Sequence, residues 1–270
     1  MPDPSTGDRS PNSQDAINLS EASLPIRYHA PFNPDAHELF RLSRSKIDLF
    51  MKCQRCFYLD RRCETSPAGS PPYTLNNRVD ELLKREFDHY RARQEPHPYM
   101  LEYGIDAVPF QHPQLDSWRE PLFHGITYRL PKTSLLISGG IDDVWCRRDG
   151  TLHIVDYKAT SKKGEVDLDQ DWQIGYKRQV ELYQWLFRMN GFTVSDTAYF
   201  VYCNGNTSQE SFNNNLSFSV KIIGYQGTNS WIEKALYDLY DILRSPNLPA
   251  SGEGCKDCRY RAKAAVFESV

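Results

Sequence analysis

Apolar residues recur at helical spacing in four stretches of the chain and run or alternate as strands in four more. Ile47, Phe50, Met51 and Phe57 favour one side of a helix through SRSKIDLFMKCQRCFYLDRR, which Ser43 can cap. After the loop SPAGSPPY, Val79, Leu82, Leu83, Phe87 and Tyr90 predict a second helix over roughly 75–93. Residues 94–134 are rich in prolines and aromatics without a period, and read as irregular. LLISGGIDDVW and TLHIVDYKA flank Arg148-Asp149-Gly150, which predicts a hairpin. A third helix, about 169–190, places Trp172, Tyr176, Val180, Tyr183 and Phe187 on one face, with Gly191 as its stop. Strands at 197–203 and 216–223 and a helix at about 229–243 follow, and the described pattern closes on SGEGCKDCRYRAKA. Helix, hairpin, helix, strand, strand, helix predicts a mixed α/β fold in which helices flank one central sheet.

Composition narrows the picture. The first 34 residues hold six of the 17 prolines among Ser, Asn and Asp, so residues 1–38 are expected to be a disordered or extended tail, and 39–270 the folded domain. No run of apolar residues is long enough to span a membrane. The first 25 residues have neither a basic nor an apolar signal region, and a cytoplasmic protein is expected. A net charge of −3 excludes a globally basic binder, but residues 41–62 carry +5 and residues 255–263 carry +3, leaving −11 elsewhere. If those two segments meet, they form a basic patch suited to a phosphate backbone. Seven cysteines include two CxxC elbows, Cys53/Cys56 and Cys255/Cys258. An odd count fits a reducing compartment better than a disulfide framework.

The hairpin carries the chemistry. Alternation puts Ile154, Asp156 and Lys158 on one face of a strand otherwise fit for burial, where unpaired charges are costly. Across it, a two-residue turn would pair Asp143 with Asp156, and a three-residue loop with Gly150 left-handed would pair Asp142 with it. Either way two carboxylates and a lysine converge. A divalent cation relieves the repulsion, and oxygen ligands point to Mg²⁺ or Mn²⁺. A structural ion pair at a sheet end is the plainer alternative. No G-x-S-x-G elbow, P-loop, G-x-G-x-x-G or H-x-x-x-H pair offers a competing chemistry.

Gly139-Gly140-Ile141-Asp142, then Asp156-Tyr157-Lys158, then Gln179-x-x-x-Tyr183 resembles the core of the PD-(D/E)XK nuclease superfamily in its RecB-like branch. The resemblance is to the CRISPR-associated RecB-like exonucleases and AddB-type nuclease domains. It implies a restriction-endonuclease-like αβββαβ core and favours Asp142 over Asp143. It further implies metal ligation by Asp142 and Asp156, a water-activating Lys158, and support or strand contact from Gln179 and Tyr183. A further acid belongs on the preceding helix, where Asp80 fits by position and Glu86 by its place on the apolar face. Several members of the branch clasp a 4Fe–4S cluster between cysteines on either side of the core, usually one upstream and three downstream. Here Cys53, Cys56, Cys255 and Cys258 divide two and two; a Cys₄ clamp holding a 4Fe–4S cluster is expected, with Zn²⁺ as the alternative. Its loss should loosen the whole domain. The implied activity is Mg²⁺-dependent (exo)deoxyribonuclease action on single-stranded DNA or duplex ends, with a helicase or another repair protein as a further partner. The alternative is a catalytically silent nuclease-fold module for DNA binding or assembly.

Overall fold

A computed structural model of the chain describes residues 26–27, 30–69 and 73–268. In chain order its strands are β1 (Ile26–Arg27), β2 (Leu39–Ser43), β3 (Val108–Pro109), β4 (Ile126–Arg129), β5 (Leu135–Gly139), β6 (Asp143–Cys146), β7 (Leu152–Thr160), β8 (Thr197–Gly205) and β9 (Phe218–Gln226). Its helices are α1 (Arg44–Lys52), α2 (Gln54–Arg62), α3 (Thr74–Arg93), α4 (Pro98–Glu102), α5 (Leu115–Arg119), α6 (Ile174–Met189), α7 (Ile232–Arg244) and α8 (Lys256–Glu268). The class is mixed α/β, as expected, but the strands divide into two sheets of order β1-β2-β5-β4 and β3-β6-β7-β8-β9.

The division corrects the hairpin. LLISG pairs with β2 and β4, and only DVWC pairs with β7. Gly139 and Gly140 are why the chain can pass between the sheets here. A Cβ on Gly139 would lie 2.5 Å from the Tyr183 ring, and one on Gly140 2.6 Å from Pro121. β7 is central, antiparallel to β6 and parallel to β8, with α6 as the crossover. It is accordingly buried on both faces. Ile154 joins the larger core, with Val180, Tyr183 and Phe187 of α6 and Leu236 and Leu239 of α7. Val155 and Tyr157 join a second core with Phe87 of α3, Met100 and Trp145.

Other expectations shift in detail. The first helix is two, because Cys53 is extended (φ −161°, ψ 108°) and breaks it, and Ser43 forms no side-chain cap bond. Residues 94–134 contain α4, α5, β3 and β4, each too short to show a period. Leu82 and Trp172 are exposed, not on the buried faces assigned to them. The tail expected at 1–38 falls largely outside the described residues, but its last part is packed: Phe32 is buried edge-on to Phe40. A hydrophobic anchor six residues before the expected boundary cannot be read from a Pro-rich segment.

Candidate active site and cysteine centre

Register decides between the two hairpin acids. Arg147 N–H bonds to Thr151 O, Gly150 N–H to Arg147 O, and Gly150 has φ +83°, the three-residue loop with a left-handed glycine. Cys146 therefore pairs with Leu152 and Asp143 with Val155, which carries Asp142 opposite Asp156. Asp143 points to the other face. There, fully buried, it accepts from Arg91 (2.5 Å), Arg119 (3.2 Å) and the Tyr157 hydroxyl (2.7 Å). Arg119 also donates to the Asp142 backbone carbonyl (3.0 Å), so this buried network braces the residue beside it.

Asp156 is fully buried; Oδ2 is ion-paired with Lys158, whereas Oδ1 accepts no hydrogen bond. Burial pushes its carboxyl up to about 6; Asp142 adds to the push and Lys158 opposes it. Burial would lower Lys158, but Asp156 and Asp142 hold its ammonium above the ordinary value. That ammonium also lies 4.6 Å from the centre of the Tyr176 ring, a cation–π contact. Asp142 Oδ2 accepts the Tyr157 N–H (2.9 Å) and Oδ1 accepts Lys84 Nζ (3.2 Å). Gln179 and Tyr183 share a buried face of α6, with Gln179 Nε2 3.4 Å from the Tyr183 hydroxyl. Arg44 from α1 reaches the same hydroxyl and feels the Asp156 charge.

On α3 the two candidate acids part company. Asp80 faces this site: burial and Asp142 raise its carboxyl against the opposing Lys84, which donates to it at 2.7 Å. Glu86 lies elsewhere, half-exposed and bonded to His97 Nε2 at 3.0 Å. Its neighbour Phe87 reaches the second core, so the apolar face that suggested Glu86 carries it toward His97 instead.

The four elbow cysteines do meet. Their sulfurs all lie within 4.8 Å of one another, and among the described residues no other group of His, Cys, Asp or Glu comes together as a candidate metal site in this way. Cys56 Sγ is 3.6 Å from Cys255 and 3.5 Å from Cys258, and Cys53 is 3.6 Å from Cys258. The break that ends α1 at Cys53 turns both thiols of the first elbow the same way. Gly252 allows the second strand of chain to close on it, since a Cβ there would lie 2.9 Å from Lys52 O. Against burial, the N–H groups of Cys56 and Gly252 bring the Cys53 thiol down to about 7.

A family model described as the PD-(D/E)XK nuclease superfamily matches residues 61–263. The chain belongs to that superfamily. No curated protein matches it. Seven solved chains do. One titled "Crystal structure of SSO0001" is 15% identical over 53% of this chain and 55% of its own, with a TM-score of 0.27. The chain thus spans about half the length of that neighbour.

Superfamily membership directs attention to residues that no motif marked. Lys84, Arg44 and Tyr176 all touch the candidate site, and Lys84 was detectable only as the i+4 partner of Asp80. The basic patch is smaller than its charge count. Arg41 donates to the Leu122 carbonyl, Lys46 and Arg61 pair with the buried Asp60, and Lys52 pairs with Asp48. Arg55, Arg259 and Arg261 remain together, lining a cleft of about 660 Å³ beside Cys255 and Cys258.

Proposed function

We propose that the chain is a nuclease that hydrolyses DNA phosphodiester bonds with Mg²⁺ or Mn²⁺, of the RecB-like type. The observation that carries this reading is Asp156, whose buried Oδ1 accepts no hydrogen bond while Lys158 pairs with Oδ2 and Asp142 stands opposite in register. A carboxylate left so is costly unless a cation completes its surroundings. Asp142 and Asp156 would hold the ion, and Asp80 is the α3 acid that faces them. The ion would supply neutralisation of phosphate charge and a more acidic water. Lys158, kept cationic and fixed over Tyr176, orients that water or steadies charge on the phosphate. Gln179, Tyr183 and Arg44 brace the wall from α6 and α1. A cleft of about 470 Å³ lined by Tyr73, Asn76, Tyr176 and Phe218 opens from the same strand end and offers stacking surfaces to single-stranded DNA or a frayed duplex end.

The cysteine spacing supports one tetrahedral ion. Thiolates bound at ~2.3 Å to a single zinc lie about 3.8 Å apart, near the values seen here, whereas a cubane spreads them over four irons. We therefore place Zn²⁺ ahead of 4Fe–4S at Cys53, Cys56, Cys255 and Cys258. The odd cysteine count and this thiolate cluster fit the cytoplasm. No described helix is long and apolar enough to cross a membrane.

One observation favours the silent module: α8 exposes Tyr260 and Phe267 on one side and Val266 on another, apolar surface that a partner such as a helicase would cover. End-labelled single- and double-stranded DNA incubated with and without Mg²⁺ separates the readings. Mg²⁺-dependent cleavage by the wild type and its loss in a folded Asp156→Ala chain is the expected result. Equal DNA binding by both chains with no cleavage by either would leave only the module.

A further inference from the structure

Lys84 joins two acids from separate elements. From α3 its ammonium sits 2.7 Å from Asp80 Oδ2, one helical turn away, and 3.2 Å from Asp142 Oδ1 in the link between the sheets. Its side chain is only 20% exposed, so these are sheltered contacts rather than a loose surface pair. Two carboxylates approaching from different elements at one small cation is the arrangement that a bridging divalent ion would otherwise serve.

On the other side of Asp142 the balance differs. Asp156 has Lys158 at Oδ2 only, and its buried Oδ1 accepts no hydrogen bond. The acidic group thus has two potential cation positions. The one between Asp80 and Asp142 already has a covalently attached ammonium. The one between Asp142 and Asp156 has the Lys158 ammonium on its Asp156 side, but none in contact with both acids as Lys84 is. A divalent ion between Asp80 and Asp142 would have to displace Lys84 from both carboxylates, whereas one between Asp142 and Asp156 need only share Asp156 with Lys158.

We propose that Lys84 stands in for a second divalent ion, so that the site takes a single one, between Asp142 and Asp156. Asp80 then acts as a positioning residue that aims Lys84 rather than as a metal ligand. The proposal rests on the nuclease reading, and deepens it by fixing how many ions the reaction uses.

Mn²⁺ is the probe, because oxygen ligands suit it while the thiolate centre prefers softer metals. Isothermal titration of the full chain, with its cysteine metal retained, gives stoichiometry, and electron paramagnetic resonance detects two neighbouring Mn²⁺ ions by their spin coupling. The wild type should take up one Mn²⁺ with an uncoupled spectrum. Lys84→Ala, conservative for a helix, should take up a second with a coupled spectrum. Asp156→Ala should abolish uptake, and Asp80→Ala should leave one ion. Two coupled ions in the wild type, or a Lys84→Ala chain still limited to one, would overturn the proposal while leaving the nuclease reading intact. No uptake by the wild type would overturn both.

Discussion

Asp156 shows at a single position what a site of this kind demands of the fold. Its carboxyl is pushed by burial from 3.8 to about 6. For an acid raised in the folded state, nothing is lost below about pH 4, where both states are protonated. Stability then falls as pH rises, because the unfolded chain releases the proton first, and the full penalty is present above about pH 6. Asp156→Asn removes this titration. Without added divalent ion, the difference in stability between the two chains should move in the variant's favour as pH rises from about 4 to about 6. Urea unfolding of both chains across that range checks it, and a constant gap would contradict the assignment. Alternation alone marked Asp156 and Lys158, and the residues of the turn offered both registers. What no local pattern could say was that Asp143 belongs to Arg91 and Arg119, because those partners come from segments 52 and 24 residues away.

At the scale of elements, the spacing of Gln179 and Tyr183 was visible as one face of α6, but the reason for a glycine at 139 was not. Tyr183 occupies the volume that a side chain there would need, 2.5 Å from the position of its Cβ. Gly139→Ala should cost about 1–3 kcal/mol by overpacking. Combining it with Tyr183→Leu, which withdraws the ring, should recover part of that loss. A double-mutant cycle measures this coupling, and strict additivity would show that the ring does not meet residue 139. The long, periodic α3 and α6 were the easiest helices to foresee. The break at Cys53 was hidden, because Phe50 and Phe57 keep helical spacing across it and both are buried, edge-on to each other. The strand β2 escaped for the opposite reason: five residues of it run straight into α1 with no turn signal between them.

For the molecule as a whole, α8 buries none of its residues. Its place depends on Cys255 and Cys258, not on a hydrophobic face, which narrows the expectation that losing the centre loosens the entire domain. Cys255→Ser should strip the bound metal and free α8, so that trypsin cuts at Arg259, Arg261 or Lys263, while the cores around Phe57 and Phe87 resist. Metal analysis alongside limited proteolysis tests this. Wild-type protein should contain about one zinc per chain and no broad absorption near ~400 nm, the mark of a Cys₄-bound cluster. Cleavage throughout the variant would mean that the centre supports the cores after all. Charge counts suggested that the elbows gather a basic surface, and they do bring Arg55 to Arg259 and Arg261. Counting could not show how many of the other cations are engaged by Asp48 and Asp60.

The clasp between Cys56 and Cys255 also orders events in time. These residues are 199 apart in sequence. At about 5–20 residues per second, a ribosome needs on the order of 10–40 s to travel between them. Through that interval the first elbow holds half of a ligand set, while the strands and helices that build both cores are still being made. An ion held by all four thiolates could therefore be captured only after the segments that build both cores have been made.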